Sequence, residues 1–135
     1  MTIWTPSSIQ LTEDKWQLTL PWTKPPLSLN DRMTWQVKST WAKTLRRTAW
    51  ALAKQAKLPP LGACDVVLVY VPRDRRRRDE DNLVATLKPL ADGLVDAGVV
   101  ADDTPDLMGK RCRIGEPDPK DPRLLLVVER RGGAS

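Results

Sequence analysis

The chain has 135 residues, with 22 Lys+Arg against 17 Asp+Glu, two Cys, six Trp, one Tyr and no His. That length fits one domain with a buried core and little surplus for a second. The absence of histidine excludes Ser-His-Asp and Cys-His machinery, His-ligated zinc and an imidazole general base. Cys64 and Cys112 lie far apart and outside any CxxC, so neither a zinc cluster nor a disulfide framework is expected. Chemistry here falls to carboxylates, Lys/Arg and a bound metal ion. The first residues lack the pattern of a secretory signal, and no window approaches the ~18–20 apolar residues of a membrane span, so a cytoplasmic protein is expected.

In chain order, residues 1–14 read as a loose lead-in before one domain over 15–130, with a flexible tail at 131–135. Lys15 to Leu20 alternates as a strand, with Trp16, Leu18 and Leu20 on one face. Pro25-Pro26-Leu27-Ser28-Leu29-Asn30 is a loop. Ser39 or Thr40 caps a predicted helix to about Lys57, whose apolar stripe is Trp41, Leu45, Ala49, Leu52 and Ala56. The almost wholly apolar Cys64–Val71 predicts a central strand covered on both faces. A basic loop spans Arg73–Arg78, and a helix is predicted from about Glu80 to Ala97 with Gly98 as its C-cap. Strands are predicted over Leu107–Ile114 and Arg123–Glu129. The order β-α-β-α-β-β predicts an α+β single compact domain, a mixed β-sheet packed with two main helices.

The net charge of +5 hides a division. Between Asp79 and Asp106 stand eight acids and one base, a segment of −7; the remaining 21 bases and nine acids give +12. Helix-dipole preference alone accounts for Asp79, Glu80 and Asp81 as solvated helix-end residues. The alternative is a hard-metal site. Mg²⁺ takes one or two carboxylates plus waters and substrate phosphate, and Asp79, Asp81, Asp102 and Asp103 are candidate ligands. On a helical wheel Asp81, Lys88 and Asp92 fall within about 40° of one another, opposite Leu83, Leu87, Leu90 and Leu94. Lys88 is then either a plain surface lysine or a positive charge beside a scissile phosphate. Pro89 removes one helix hydrogen bond beside it. Arg73, Arg75, Arg76, Arg77 and Arg78, with Lys110, Arg111 and Arg113 after the next turn, are either solvated basic segments or phosphate-backbone contacts.

Arg75-Arg76-Arg77-Arg78-Asp79-Glu80-Asp81-Asn82-Leu83, then Asp92-Gly93-Leu94-Val95-Asp96-Ala97-Gly98, then Asp102-Asp103, resembles the RusA family of Holliday junction resolvases. Its pattern is an Arg-rich loop, D-x-D-N-L, a helix ending in D-x-L-x-x-A-G and a D-D pair. Leu18-Thr19-Leu20-Pro21-Trp22 and the loop ending at Asn30 are similar to its opening strand and P-P-S-x-N loop, so the likeness covers most of 16–130. The resemblance implies a RusA-like fold and a homodimeric, Mg²⁺-dependent endonuclease of four-way DNA junctions, with Mn²⁺ as substitute and no organic cofactor, often phage-encoded. It implies Asp79, Asp81 and Asp103 as catalytic, metal-binding aspartates, Asp102 as a further candidate ligand, and Asn30 with the basic groups as DNA contacts. The family lysine lies four residues after the second Asp of D-x-D, where this chain has Ala85; anchoring on the downstream motif instead places Lys88 there, with a three-residue insertion. A non-catalytic basic DNA-binding module, and a metal-dependent nuclease of flaps or other branched DNA, are the alternative functions.

Overall fold

A computed structural model describes residues 8–28 and 32–131. The strands are β1 (Ser8–Thr12), β2 (Lys15–Thr19), β3 (Cys64–Val71), β4 (Met108–Ile114) and β5 (Arg123–Arg130), and the helices α1 (Trp35–Gln55) and α2 (Val84–Asp96). A 3-10 turn, Glu80–Leu83, leads into α2. The five strands form one mixed sheet in the order β1-β2-β5-β3-β4, parallel only between β3 and β4. The α+β expectation of two helices on a mixed sheet holds.

The core explains the register. Trp16 and Leu18 of β2, Val66 and Leu68 of β3, and Leu124, Leu126 and Val128 of β5 all face the helices and are buried. Alternation with period two puts them on one side. From above, α1 contributes Leu45, Ala49 and Leu52, and α2 contributes Leu87, Leu90 and Leu94. Each such leucine, taken fully out of water, stabilises the fold by about 1.5–3 kcal/mol before ordering entropy. Gly98 ends α2 at φ +84°, and the bonds from Gly98 N to Val95 O (2.9 Å) and from Val99 N to Leu94 O (3.1 Å) close the motif.

Five expectations are corrected. Residues 8–12 are no loose lead-in but an edge strand, because the two-residue turn at Glu13-Asp14 lets Ser8–Thr12 fold back on β2. α1 begins at Trp35, capped by the Thr34 hydroxyl, which accepts from Val37 N at 3.3 Å. Ser39 and Thr40 are interior instead, and the Thr40 hydroxyl donates to Gln36 O one turn back (3.0 Å), which satisfies it without ending the helix. The helix predicted from Glu80 starts as a 3-10 turn, shaped by the Asp79 cap. Next, β3 is covered by helices on one face only. On the other, Val69, Val71 and Leu125, with Val67 and Val127 beside them, make a small separate cluster. Arg131, expected in the tail, is anchored to Ala63 O and the Asp65 carboxylate.

Candidate functional site

The predicted acids meet at the edge where β4, the 3-10 turn and the start of α2 come together. Asp79 leaves the basic loop in extended conformation and caps the turn, its Oδ1 accepting from Asp81 N at 3.1 Å. Its carbonyl accepts from Asn82 N at 3.1 Å. This tight reversal sends Asp79 and Asp81 to different sides. Asp81 lines a cleft of about 480 Å³ with Lys88, Asp103, Lys110, Glu80 and Arg111. Asp79 lines the neighbouring cleft, with Arg77, Arg78 and Lys24.

Asp81 and Lys88 line the first cleft together although Asp81 sits in the 3-10 turn rather than in α2, and Asp92, the third member of the wheel face, does not line it. Lys88 also borders a shallow groove with Asp92 and the exposed Trp35. Leu90 and Leu94 pin α2 to the core on the other side, so the lysine stem is held at the rim. Thr86, one position further round, is wholly buried and ties the Pro-rich loop to α2. Its hydroxyl donates to Leu27 O (2.7 Å) and accepts from Leu27 N (3.2 Å). Asn30, at the end of that loop, lies outside the described residues.

Asp103 reaches the cleft from the turn before β4. Lys110, expected as a DNA contact, instead folds back onto it, with Nζ 3.0 Å from the Asp103 carbonyl and 3.3 Å from Oδ2. The Lys110 ammonium holds the Asp103 carboxyl below the usual carboxylate range. Asp102 is exposed and accepts from Asp103 N at 2.7 Å, a local turn contact. Cys112 lies behind Glu80 and Asp81; burial first, and those two carboxylates next, push its thiol up to about 11, so it stays protonated at neutral pH. Among the described residues, no group of three or more His, Cys, Asp or Glu is close enough to hold a metal ion. The expected set Asp79, Asp81 and Asp103 is accordingly divided, with Asp81 and Asp103 sharing a cleft and Asp79 standing across the turn.

The basic loop is also divided. Arg78 turns inward: its guanidinium donates to Asp74 Oδ1 and O and to Arg76 O (2.8–2.9 Å) and lies 5.6 Å from the Tyr70 ring centroid. It braces the loop. Arg73 and Arg75 make only exposed ion pairs, to Asp74 (3.7 Å) and Glu116 (3.5 Å), and Arg76 and Arg77 present exposed side chains. Arg111 and Arg113 are exposed on β4, in register with Val67 and Val69 on the sheet face away from the helices.

Sequence reasoning missed Glu80 and the site position of Lys110. Glu80 was visible only as the middle residue of Asp-x-Asp. Lys110 meets Asp103 through a turn and the start of a strand, a pairing no local spacing rule reveals.

No family model matches the chain. A protein of Xylella fastidiosa (strain Temecula1), described only as uncharacterized, is 38% identical over 85 residues, 59% of this chain and 56% of the relative. The chain thus spans about half the length of the curated relative it matches. Among solved structures, the periplasmic domain of Helicobacter pylori MotB aligns with a TM-score of 0.43 and 12% identity, over 93% of this chain and 87% of that one. The OmpA-like domain of FopA1 from Francisella tularensis aligns with a TM-score of 0.40 and 10% identity, over 93% and 81% of the respective chains. Likeness at these scores carries no argument about function.

Proposed function

We propose that the protein is a Mg²⁺-dependent endodeoxyribonuclease that resolves four-way DNA junctions by paired symmetric nicks in recombination and repair, in the cytoplasm, as its RusA-like motifs imply. One observation carries the proposal: Asp81 and Asp103, from separate segments, share an open cleft with Lys88 and Lys110, next to an arginine loop. Two carboxylates in an open, water-accessible cleft suit Mg²⁺, which keeps several waters and takes its remaining ligands from substrate phosphate. Asp81 and Asp103 would hold the ion, with Asp79 fixing the turn that aims Asp81. Bound there, Mg²⁺ (or Mn²⁺) supplies Lewis-acid polarisation of the phosphate and a more acidic water.

The chain's own groups do the rest. Lys88 at the rim neutralises charge developing on the phosphate or leaving oxygen. Lys110 keeps Asp103 ionised and oriented. Arg76 and Arg77 hold flanking backbone, each as a charge-assisted phosphate contact. A second copy supplies the second nick, because a four-way junction has approximate two-fold symmetry. The sheet face away from the helices is the surface for that copy. It presents Val67 and Val127 in one row with Arg111, bordered by Arg113 on one side and by Asp65, Glu129 and Lys15 on the other, so an apolar centre with charged groups around it would face the second copy.

The test is purified protein with four-way, three-way, flap and linear DNA, in Mg²⁺ and in EDTA. Paired nicks confined to the four-way junction and lost in Asp81→Asn, with binding retained, are the expected result; full cleavage by that variant sinks the assignment. A second reading, a non-catalytic DNA-binding module, is favoured by Asp79 acting as a cap and Asp103 being paired with Lys110. It requires salt-sensitive binding with no cleavage in either metal.

A further inference from the structure

The proposed function leaves the cleft on the Asp79 side of the turn without a role in metal binding or in the cut itself. It encloses about 430 Å³ between the Pro-rich loop, the end of β3 and the 3-10 turn. Its lining joins two chemistries. Tyr70, Leu83, Ile114 and Pro25 supply the apolar part, Ser28, Asn82 and Arg78 the polar part, and Lys24 and Arg77 line it with exposed side chains. Asp79 closes the side toward the other cleft.

We infer that this cleft is a nucleobase subsite, taking a base unstacked at the branch point beside the scissile phosphate, with the backbone phosphate of that nucleotide held at its rim by Lys24 and Arg77. The inference rests on the nuclease proposal and assigns what that proposal leaves open, the residues that choose where the strand is cut.

Three observations carry it. First, the two clefts flank one short turn. Asp79 and Asp81 are two residues apart, a reach of at most about 7 Å, or one to two nucleotide steps at ~3.4 Å per base along a strand. A strand with its scissile phosphate at Asp81 and Asp103 therefore brings an adjacent nucleotide to the second cleft. Second, the volume falls within the ~300–1,000 Å³ of small-ligand sites, and a lining that mixes an aromatic and aliphatic patch with hydrogen-bonding side chains and cations matches a base and its phosphate. Third, the aromatic group is held in advance. Arg78, which also lines the cleft, lies over the Tyr70 ring 5.6 Å from its centroid and is fixed there by its bonds to Asp74 and Arg76, so a base meets a preformed stack of guanidinium on ring rather than a bare, mobile side chain. Aromatic rings are the usual platform for unstacked bases, and Thr86 fixes the opposing loop through Leu27.

The test uses the full chain bound to a four-way junction in EDTA, with 2-aminopurine placed singly at each position around the branch. The expected result is a change in emission at one position next to the branch, lost in Tyr70→Leu while junction affinity stays within about threefold. Lys24→Ala should lower the slope of log affinity against log salt by about one phosphate contact; Lys54→Ala, on α1 and lining neither cleft, should leave it unchanged. In Mg²⁺, cutting across junctions that differ in the base pair at the branch should be selective, and Tyr70→Leu should flatten that selectivity. Emission that is the same in wild type and Tyr70→Leu overturns the subsite. If Tyr70→Leu fails to fold, an unchanged salt slope in Lys24→Ala overturns it instead. A junction bound but never cut refutes the nuclease and leaves the emission to decide the subsite, whereas a junction cut with flat emission refutes the subsite alone. Failure to bind branched DNA refutes both.

Discussion

Gly93→Ala separates the packing of this fold from helix propensity, because the two predict opposite signs. Gly93 lies inside α2, where an alanine is intrinsically better by about 0.8–1.0 kcal/mol. Propensity alone therefore predicts a more stable protein. At this position, however, α2 crosses α1 so closely that a Cβ would stand 2.2 Å from the Arg46 carbonyl oxygen and 2.8 Å from the Ala49 Cβ. The first distance falls more than 1 Å short of normal contact. The obstacle is helix backbone, which cannot yield by a rotamer change.

The helices must then separate, loosening Leu45, Leu52, Leu90 and Leu94, which are all wholly buried or nearly so. Overpacking of this kind costs about 1–3 kcal/mol, and a clash with backbone belongs at the upper end. After the propensity gain, a net loss of about 2 kcal/mol is expected, which lowers a urea midpoint by ~1 M at a typical slope. Adding Ala49→Gly removes the second contact but not the first, so it should rescue only part of the loss. Equilibrium urea unfolding followed by circular dichroism measures both variants. A Gly93→Ala protein more stable than wild type by about 1 kcal/mol would refute the close crossing.

Three other outcomes follow from the same geometry. On the proposed nuclease reading, Lys110→Met should cut the nicking rate by about 10–100-fold, the usual effect of losing a group that orients a metal ligand, and Lys110→Arg should restore part of it; unchanged rates would return Lys110 to the role of a plain backbone contact. Arg76→Ala and Arg77→Ala should each reduce the salt slope of junction binding by about one, whereas Arg78→Ala should chiefly lower the unfolding midpoint, since Arg78 braces Asp74 and Tyr70. Arg46 grips Asp96 across the helix pair, Nη2 to Oδ1 at 2.8 Å, and holds its carboxyl below the usual range. A depressed folded-state value means the bridge contributes fully above the ordinary aspartate pKa of about 3.9 and fades as pH falls through the folded value. The stability deficit of Arg46→Met should therefore be constant near neutrality and close in acid; a deficit that widens toward low pH would contradict the sign.

The fold was legible wherever one physical signal acted alone. The nearly apolar, β-branched run of Cys64–Val71 and the leucine spacing of α2 each pointed to one element type, and both elements formed. Errors came where a local signal had two outlets. A hydroxyl in a run such as Ser39-Thr40 can end a helix or bond back to the preceding turn, and Thr40 takes the second course. The same apolar run that marks β3 suits a strand covered on both faces or one that keeps a face for a partner, and only the sheet order with its single helical layer decides between them. The site divides along the same line. Spacing brought Asp81 and Lys88 to one cleft even though Asp81 sits in the 3-10 turn and Lys88 in α2. It could not place Asp79, since a capping aspartate is turned by its own hydrogen bond to Asp81 N toward the far side of the reversal. That one bond makes two clefts from a motif of three residues. It leaves Asp81 with Asp103 on one side and, on the other, an aspartate bordering Tyr70, so that the proposed metal site and the proposed base subsite would fall on neighbouring faces of a single turn.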